Sequence, residues 1–129
     1  MLARGPLSRH AELVQSVTRA LVSLAEREVD ESIDLALGKV GELARADRCY
    51  VFLRSDDGRS VSNTHEWCAD GVIPARDELQ ELPLDRFPWA FSLFDGQSEL
   101  VVPSVASVPP GAEREEWDRE GIQSLVCTP

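Results

Sequence analysis

The sequence is poor in basic residues, and this excludes functions that need a positive surface. Lysine and arginine number 13 against 23 aspartate and glutamate residues, so the 129-residue chain has a formal net charge of −10. A nucleic-acid groove neutralises phosphates with clustered lysine and arginine. Anionic membrane surfaces attract the same residue types. We therefore expect neither nucleic acid nor a membrane as a partner.

Long apolar runs and paired cysteines are also missing. No segment approaches the roughly 18 consecutive apolar residues of a membrane-spanning helix. Arg4, Arg9 and His10 interrupt the stretch where a secretion signal would need a continuous apolar core. The three cysteines are odd in number and do not suggest a disulfide framework. These absences favour a reducing, cytoplasmic setting.

The composition that remains is that of a globular domain. Hydrophobic residues make up 43% of the chain and charged residues 28%, which is ordinary for folded proteins. A chain of this length buries roughly two thirds of its unfolded surface. We divide it into an N-terminal helix within residues 1–29 and a domain over residues 30–129.

The N-terminal helix carries an apolar seam. Ser8 is a candidate N-cap. The apolar residues of the seam are separated by three, four and three positions, which is typical of the a and d positions of a coiled coil. The seam consists of Val14, Val17, Leu21 and Leu24. It fits a helix packed on its own domain, and it also fits a helix that pairs with its copy in a homodimer.

A second helix is predicted from Asp30, which is another candidate N-cap. Gly38 and Gly41 lie inside it, where glycine costs about 1 kcal/mol relative to alanine. We interpret them as sites of close packing. Residues 49–53 and Ser60–Cys68 then predict two strands joined by a turn at 55–59, which is a β-hairpin. The remaining predicted elements are a short helix from Asp85, strands at 100–102 and 122–127, and a charged helix at 112–120.

Three separated strings resemble a subset of bacterial GAF domains that occur in multidomain sensor proteins. Residues 62–68 read SNTHEWC and are followed by Gly71, Val72 and Pro74. Residues 82–89 read LPLDRFPW, and residues 121–125 read GIQSL. The strings occur in the order of the family, and the resemblance extends over residues 30–129.

The resemblance implies an α+β fold with an antiparallel sheet of strand order 2-1-5-4-3 and terminal helices on one face. After Pro129 the family continues with the strand that lies between strands one and four, and then with a helix, so we expect an incomplete sheet. The implied function is that of a cytoplasmic sensory domain in a bacterial signal-transduction protein. Such a domain binds a small ligand, dimerises, or does both, and so controls an attached output domain such as a histidine kinase or diguanylate cyclase.

Aromatic residues are scarce and concentrated, which makes them candidates for a ligand pocket. Four of the eight aromatic residues lie within residues 87–94. Such a cluster lines a pocket or forms the core under a sheet, and the core interpretation is the more favoured. The candidate ligand-binding residues are Trp67, Phe87, Trp89 and Phe91. We expect Trp67 and Trp89 to be mostly buried in either case.

Other chemistry is weakly supported, and we expect no catalytic residue, metal or cofactor. His65 and Cys68 are spaced so that strand alternation points them to opposite faces, which argues against a zinc site. Cys49, Cys68 and Cys127 fall on predicted strands, outside any C-x-x-C motif. A thiol enzyme like the GAF-fold free methionine sulfoxide reductase is therefore a minor alternative, beside a structural dimerisation module without ligand.

The charged helix has two predicted properties. It contains no cysteine, so it offers no covalent attachment point of the kind that bilin-binding GAF domains use late in the domain. Its acidic residues are expected to form a solvated face. These are Glu113, Glu115, Glu116, Asp118 and Glu120.

Overall fold

The computed structural model describes residues 6–22, 28–94 and 99–129 and has an α+β fold, as predicted. The helices are α1 (Pro6–Val22), α2 (Val29–Ala44), α3 (Pro88–Phe94) and α4 (Ala112–Arg119). The strands are β1 (Arg48–Arg54), β2 (Ser60–Cys68), β3 (Leu82–Pro83), β4 (Leu100–Val102) and β5 (Leu125–Cys127). None of these helices is long and apolar enough to cross a lipid bilayer.

The strands form two sheets, with the orders β1-β2-β3 and β4-β5. The hairpin of β1 and β2 is confirmed, and the last two strands pair antiparallel with Val101 opposite Val126. The resemblance implies both pairings. In the family's strand order, β1 and β2 are strands 1 and 2, and β4 and β5 are strands 3 and 4. The two-residue strand β3 was not predicted; it pairs antiparallel with β2 through Val61 and Leu82.

The chain divides into two compact units. The first unit comprises residues 1–53 and 63–80, and the second comprises residues 54–62 and 81–129. The base of the hairpin therefore belongs to the first unit and its tip to the second. Each unit is described separately below.

Helices α1 and α2 pack against each other within the first unit. Ala20 is buried on α1, whereas Val14 is 63% exposed. The predicted cap at Ser8 is wrong, because α1 begins at Pro6, a residue whose fixed φ suits the first helical turn. The side chain of Leu21 and all of Leu24 lie outside the described residues. The pairing of α1 with a second chain stays a prediction.

The start of α2 also differs from the prediction. The helix begins at Val29 after Glu28, so Asp30 lies in the first turn and is not the cap. An acidic residue there still complements the helix dipole. The helix ends at Ala44 and is followed by the C-cap Arg45, which has a left-handed conformation with φ 54°. The predicted close packing at the two glycines is confirmed, since the Trp67 indole lies against both Gly38 and Gly41.

The second unit has its own apolar core. Its buried members are Phe87, Ala90, Leu100, Val102, Val105 and Val108, and half-buried side chains pack around them. Helix α3 begins at Pro88; the predicted start at Asp85 is wrong because that residue lies in a 3-10 turn, Leu84–Arg86. Strand β5 begins at Leu125 and not at Ile122, whose N–H donates to the Trp117 carbonyl at 2.8 Å.

The prediction of a fully solvated acidic face on α4 is wrong for two residues. Glu113 is 4% exposed, and its carboxylate accepts hydrogen bonds from the N–H groups of Trp89 (2.6 Å) and Ala90 (3.3 Å). Glu116 is also buried and forms ion pairs with Arg119 and, at 3.9 Å, with Arg86. Both carboxylates are held by donors, which is what burial of a charge requires.

Candidate functional site

The middle of β2 presents different side chains on its two faces. On one face, the His65 Nε2 atom lies 3.1 Å from Asp30 Oδ1 on α2, and the Trp67 indole packs on the same helix. The Glu66 carboxylate instead accepts hydrogen bonds from the N–H groups of Ala75 and Arg76. This is the alternation expected of a strand. The same alternation places Asn63 on the face of β2 that carries His65 and Trp67.

A polar cleft of about 710 Å³ lies in the first unit beside this strand. Helix α2, strands β1 and β2, and the segment 76–80 contribute to its walls. The lining residues that matter below are Asp30, Asp34, Asn63, His65, Arg76 and Asp77. The cleft is of the size that binds small molecules, but its lining is polar, whereas most such pockets are largely apolar.

Asn63 is the most unusual residue in this cleft. It is 1% exposed, yet neither the nitrogen nor the oxygen of its side-chain amide has a hydrogen-bond partner among the described residues. Its backbone is fully used, since the N–H donates to the Leu79 carbonyl at 2.8 Å and the carbonyl accepts from Gln80 Nε2 at 2.8 Å. Buried polar groups are normally bonded, so an unpaired amide calls for an explanation.

His65 uses both of its ring nitrogens. Besides the contact with Asp30, its Nδ1 atom lies 2.9 Å from Thr64 Oγ1, and that hydroxyl lies 3.2 Å from the Val51 carbonyl. One hydroxyl proton cannot serve both the ring nitrogen and the carbonyl. These contacts hold the ring between Thr64 on β2 and Asp30 on α2.

The predicted ligand-binding residues do not lie together. Trp67 is half-buried in the first unit and borders a smaller cleft of about 470 Å³. Phe87, Trp89 and Phe91 belong to the apolar core of the second unit. Their role as ligand contacts stays a prediction.

The three aromatic residues of the second unit are engaged in packing. Trp89 contacts Trp117 edge to face, with ring centroids 6.2 Å apart. The Arg54 guanidinium lies 5.8 Å from the centre of the Phe91 ring. Phe87 is 8% exposed, and Trp89, like Trp67, is intermediate between buried and exposed, so the prediction that both tryptophans are mostly buried is confirmed. These contacts favour the core interpretation of the cluster.

The three cysteines lie on strands, as predicted, and none of their thiols has a lowered pKa. Desolvation raises the pKa of the half-buried Cys49 thiol, and it also raises the pKa of Cys127, although that residue is exposed. Burial raises the pKa of Cys68 too, and the Glu66 carboxylate adds to this effect. Reactive cysteines have a lowered pKa instead. Among the described residues, no three His, Cys, Asp or Glu side chains are grouped so as to hold a metal ion.

Sequence reasoning overlooked the cleft residues Asn63, Asp34, Arg76 and Asp77. Asn63 offered one signal, because strand alternation places it on the same face of β2 as His65 and Trp67. The others lie on α2 and in a segment predicted as loop. Nothing in their spacing indicates that the fold brings them to one cleft.

Comparisons with known proteins reveal the fold alone. No protein-family model and no curated protein matches the chain. Among solved structures, it is similar to the phycoerythrobilin-bound GAF domain from a cyanobacterial phytochrome, with 18% identity and a TM-score of 0.62 over 99% of this chain and 74% of that one. It is also similar to a phycocyanobilin-bound GAF domain from a cyanobacterial phytochrome, with 17% identity and a TM-score of 0.64 over 99% of this chain and 73% of that one.

Proposed function

We propose that this chain, whose fold is that of a GAF domain, is a sensory domain of a bacterial signal-transduction protein. It binds a small ligand and pairs with a second copy through α1, and the two events together control an attached output domain. The likeness of the whole chain to two GAF domains that hold small molecules gives the fold on which the proposal builds. Because that likeness is one of fold, the function itself rests on this chain's own residues.

The contacts of β2 supply a route from a bound ligand to the helices. His65 contacts Asp30 in the first turn of α2, and Trp67 packs on Gly41 nearer its end. Helix α1 in turn packs on α2. A ligand that binds beside β2 and favours one position of the strand therefore also favours one position of the helices, which is the differential interaction that signalling needs.

The test is a thermal unfolding screen against a panel of metabolites, followed by light scattering with and without any hit. A ligand that binds the folded state stabilises it by about 2.7 kcal/mol at a concentration of 100 Kd. We expect at least one compound to raise Tm and to change the dimerisation constant. A dimer whose Tm and dimerisation constant respond to no compound would leave the structural dimerisation module as the function.

That second candidate has an observation in its favour. The aromatic residues that were candidates for a pocket are used in the core of the second unit. Val14 on α1 is an exposed apolar side chain available to a second copy. A module of this kind needs the seam and not the cleft, so substitutions in the cleft would leave its output unchanged.

Two other chemistries receive less support. The thiol reductase alternative needs a reactive cysteine, and the pKa of each of the three thiols is raised. Covalent attachment of a bilin would have to use one of the same three residues, and all of them lie on strands. We therefore propose a non-enzymatic domain whose ligand binds without a covalent bond.

A further inference from the structure

We propose that the 710 Å³ cleft beside β2 binds a small cationic molecule that carries a carboxamide or an equivalent paired donor and acceptor, and that Asn63 recognises this group. The inference rests on the proposed ligand-binding function and specifies its site and its ligand chemistry. It moves the site from the aromatic residues of the second unit to polar residues of the first.

The side-chain amide of Asn63 defines half of the ligand. Its nitrogen can donate and its oxygen can accept, and both are unpaired and shielded from solvent in the described part of the chain. A ligand that only donates or only accepts would leave one of them unmet. A carboxamide edge, or the matching edge of a heterocycle, pairs with both at once when the Asn63 side chain turns toward the cleft that the residue lines.

Hydrogen bonds to the backbone of Asn63 fix its position on β2. Leu79 and Gln80 bond to the two backbone groups of Asn63, and Gln80 Nε2 also donates to the Arg76 carbonyl at 2.7 Å. Strand β2 and the segment 76–80 are therefore tied together on the side where Asn63 lies. The backbone that carries the recognition group is thus ordered before binding, which limits the freedom that is lost when the ligand arrives.

The charges around the cleft define the other half of the ligand. Asp30 is occupied by His65. Asp34 and Asp77 are exposed and form no ion pair with any described residue, and Arg76 is the guanidinium among the lining side chains. Two unpaired carboxylates against one guanidinium favour a cation, and so does the net charge of the chain.

The experiment follows the Asn63 side-chain amide by NMR in the whole ¹⁵N-labelled chain. The probes are argininamide, which has a carboxamide and positive charge, and succinamate, which has a carboxamide and negative charge. The Asn63 signals are assigned from their loss in Asn63→Leu. We expect argininamide to shift them in the parent, succinamate to bind at least about tenfold more weakly, and Asn63→Leu to weaken argininamide at least about tenfold.

Two further variants separate the charge from the fold. Asp34→Asn with Asp77→Asn changes exposed side chains, so the protein stays folded, and we expect argininamide to bind at least about threefold more weakly. Asp56→Asn, at another exposed carboxylate in the hairpin turn outside the cleft, is the control and leaves binding unchanged. Equal binding of succinamate and argininamide would overturn the proposal.

The unliganded protein provides a second readout. Replacing an unpaired buried amide by an apolar side chain of similar size leaves stability unchanged or raises it. Asn63→Leu should therefore keep or raise Tm without ligand. A clear fall in Tm would mean that a protein group or a fixed water already pairs with the amide, and the proposal would be wrong. Asn63 signals that do not move when argininamide is added would also overturn the proposal. A metabolite that raises the Tm of Asn63→Leu and of the parent equally would support the sensory function but place its binding site elsewhere.

Discussion

The Trp67 indole occupies the space that a side chain on Gly41 would need. Atoms of its six-membered ring lie where the Cβ would be, whereas a Cβ on Gly38 would be 3.2 Å from the Cδ1 atom at the other end of the indole. Both glycines lower the helix propensity of α2. The packing of the Trp67 indole requires a glycine at position 41 but not at position 38. The two positions should therefore respond differently to substitution by alanine.

Gly41→Ala should destabilise the protein by about 1–3 kcal/mol, because it forces a methyl group into a filled space. Gly38→Ala is the matched control: its gain of about 1 kcal/mol in helix propensity offsets a contact that needs a shift of only a few tenths of an ångström. Urea unfolding of both variants measures the difference. Equal stability of the two would contradict the packing of the indole on Gly41.

Removing the indole should reverse the effect at Gly41. Trp67→Ala alone should cost about 3 kcal/mol or more through the cavity it leaves. In that background Gly41→Ala should stabilise by up to about 1 kcal/mol, because the space is free and only the helix propensity remains. Additive effects in this double-mutant cycle would show that the two residues do not interact.

Glu113→Ala should destabilise the protein by about 1–3 kcal/mol, because the buried N–H groups of Trp89 and Ala90 lose their acceptor. Glu113→Gln keeps an acceptor oxygen and should cost less. Glu115→Ala, at an exposed position of the same helix, should stay within about 0.5 kcal/mol of the parent. Chemical unfolding of the three variants checks the order, and an equal loss at 113 and 115 would refute it.

The cysteines should react slowly at neutral pH in the folded state. Desolvation raises the pKa of all three thiols, including that of the exposed Cys127, so less thiolate forms at neutral pH than in the unfolded chain. The protonated thiols contribute their full stability at a pH below the thiol pKa of the unfolded chain. This stability is lost as the pH rises through the raised pKa of the folded state. Alkylation rates across pH, with urea-unfolded protein as the control, measure this. Alkylation in the folded state that is as fast as in urea would contradict it.

Val14→Glu should weaken a dimer formed through α1. The side chain is 63% exposed, so the substitution leaves the packing of α1 on α2 intact. Val126→Glu, at an apolar residue of β5 that is 66% exposed, is the control at a sheet surface. Light scattering of parent and variants at micromolar concentration decides between them. A monomeric parent would refute the dimer, and an effect confined to Val126→Glu would move the interface to the sheet.

The hairpin was predictable because its pattern is local. Residues 49–53 are rich in β-forming types, the turn at 55–59 has the usual turn residues, and Ser60–Cys68 was predicted with the bounds it has. The start of α3 was misplaced because Asp85 resembles a cap, while the chain forms a 3-10 turn before Pro88. The strand β3 is two residues long, too short for any period to appear in the sequence.

The cleft was not predictable, because it depends on contacts between distant parts of the chain. Asn63 and Gln80 are 17 positions apart, and the ring of His65 reaches Asp30 from 35 positions away. Composition treats every acidic residue alike, so it could not separate Glu113 from Glu115 on α4. Burial at Glu113 and Glu116 follows from what packs on one face of that helix, which no local pattern of charge reveals.

The acidic helix α4 therefore limits how the electrical properties of this protein can be redesigned. An engineer who wished to reduce its strong negative charge, for solubility at low pH or for capture on a resin, would turn first to this glutamate-rich stretch. Glu115 is exposed and Asp118 pairs only at the surface with Arg114, so both tolerate neutral replacements. Glu113 and Glu116 do not, because their charges hold the amides of α3 and the guanidinium groups of Arg86 and Arg119. Of the four acidic residues of this short helix, two are replaceable surface charges and two are buried charges on which the fold depends.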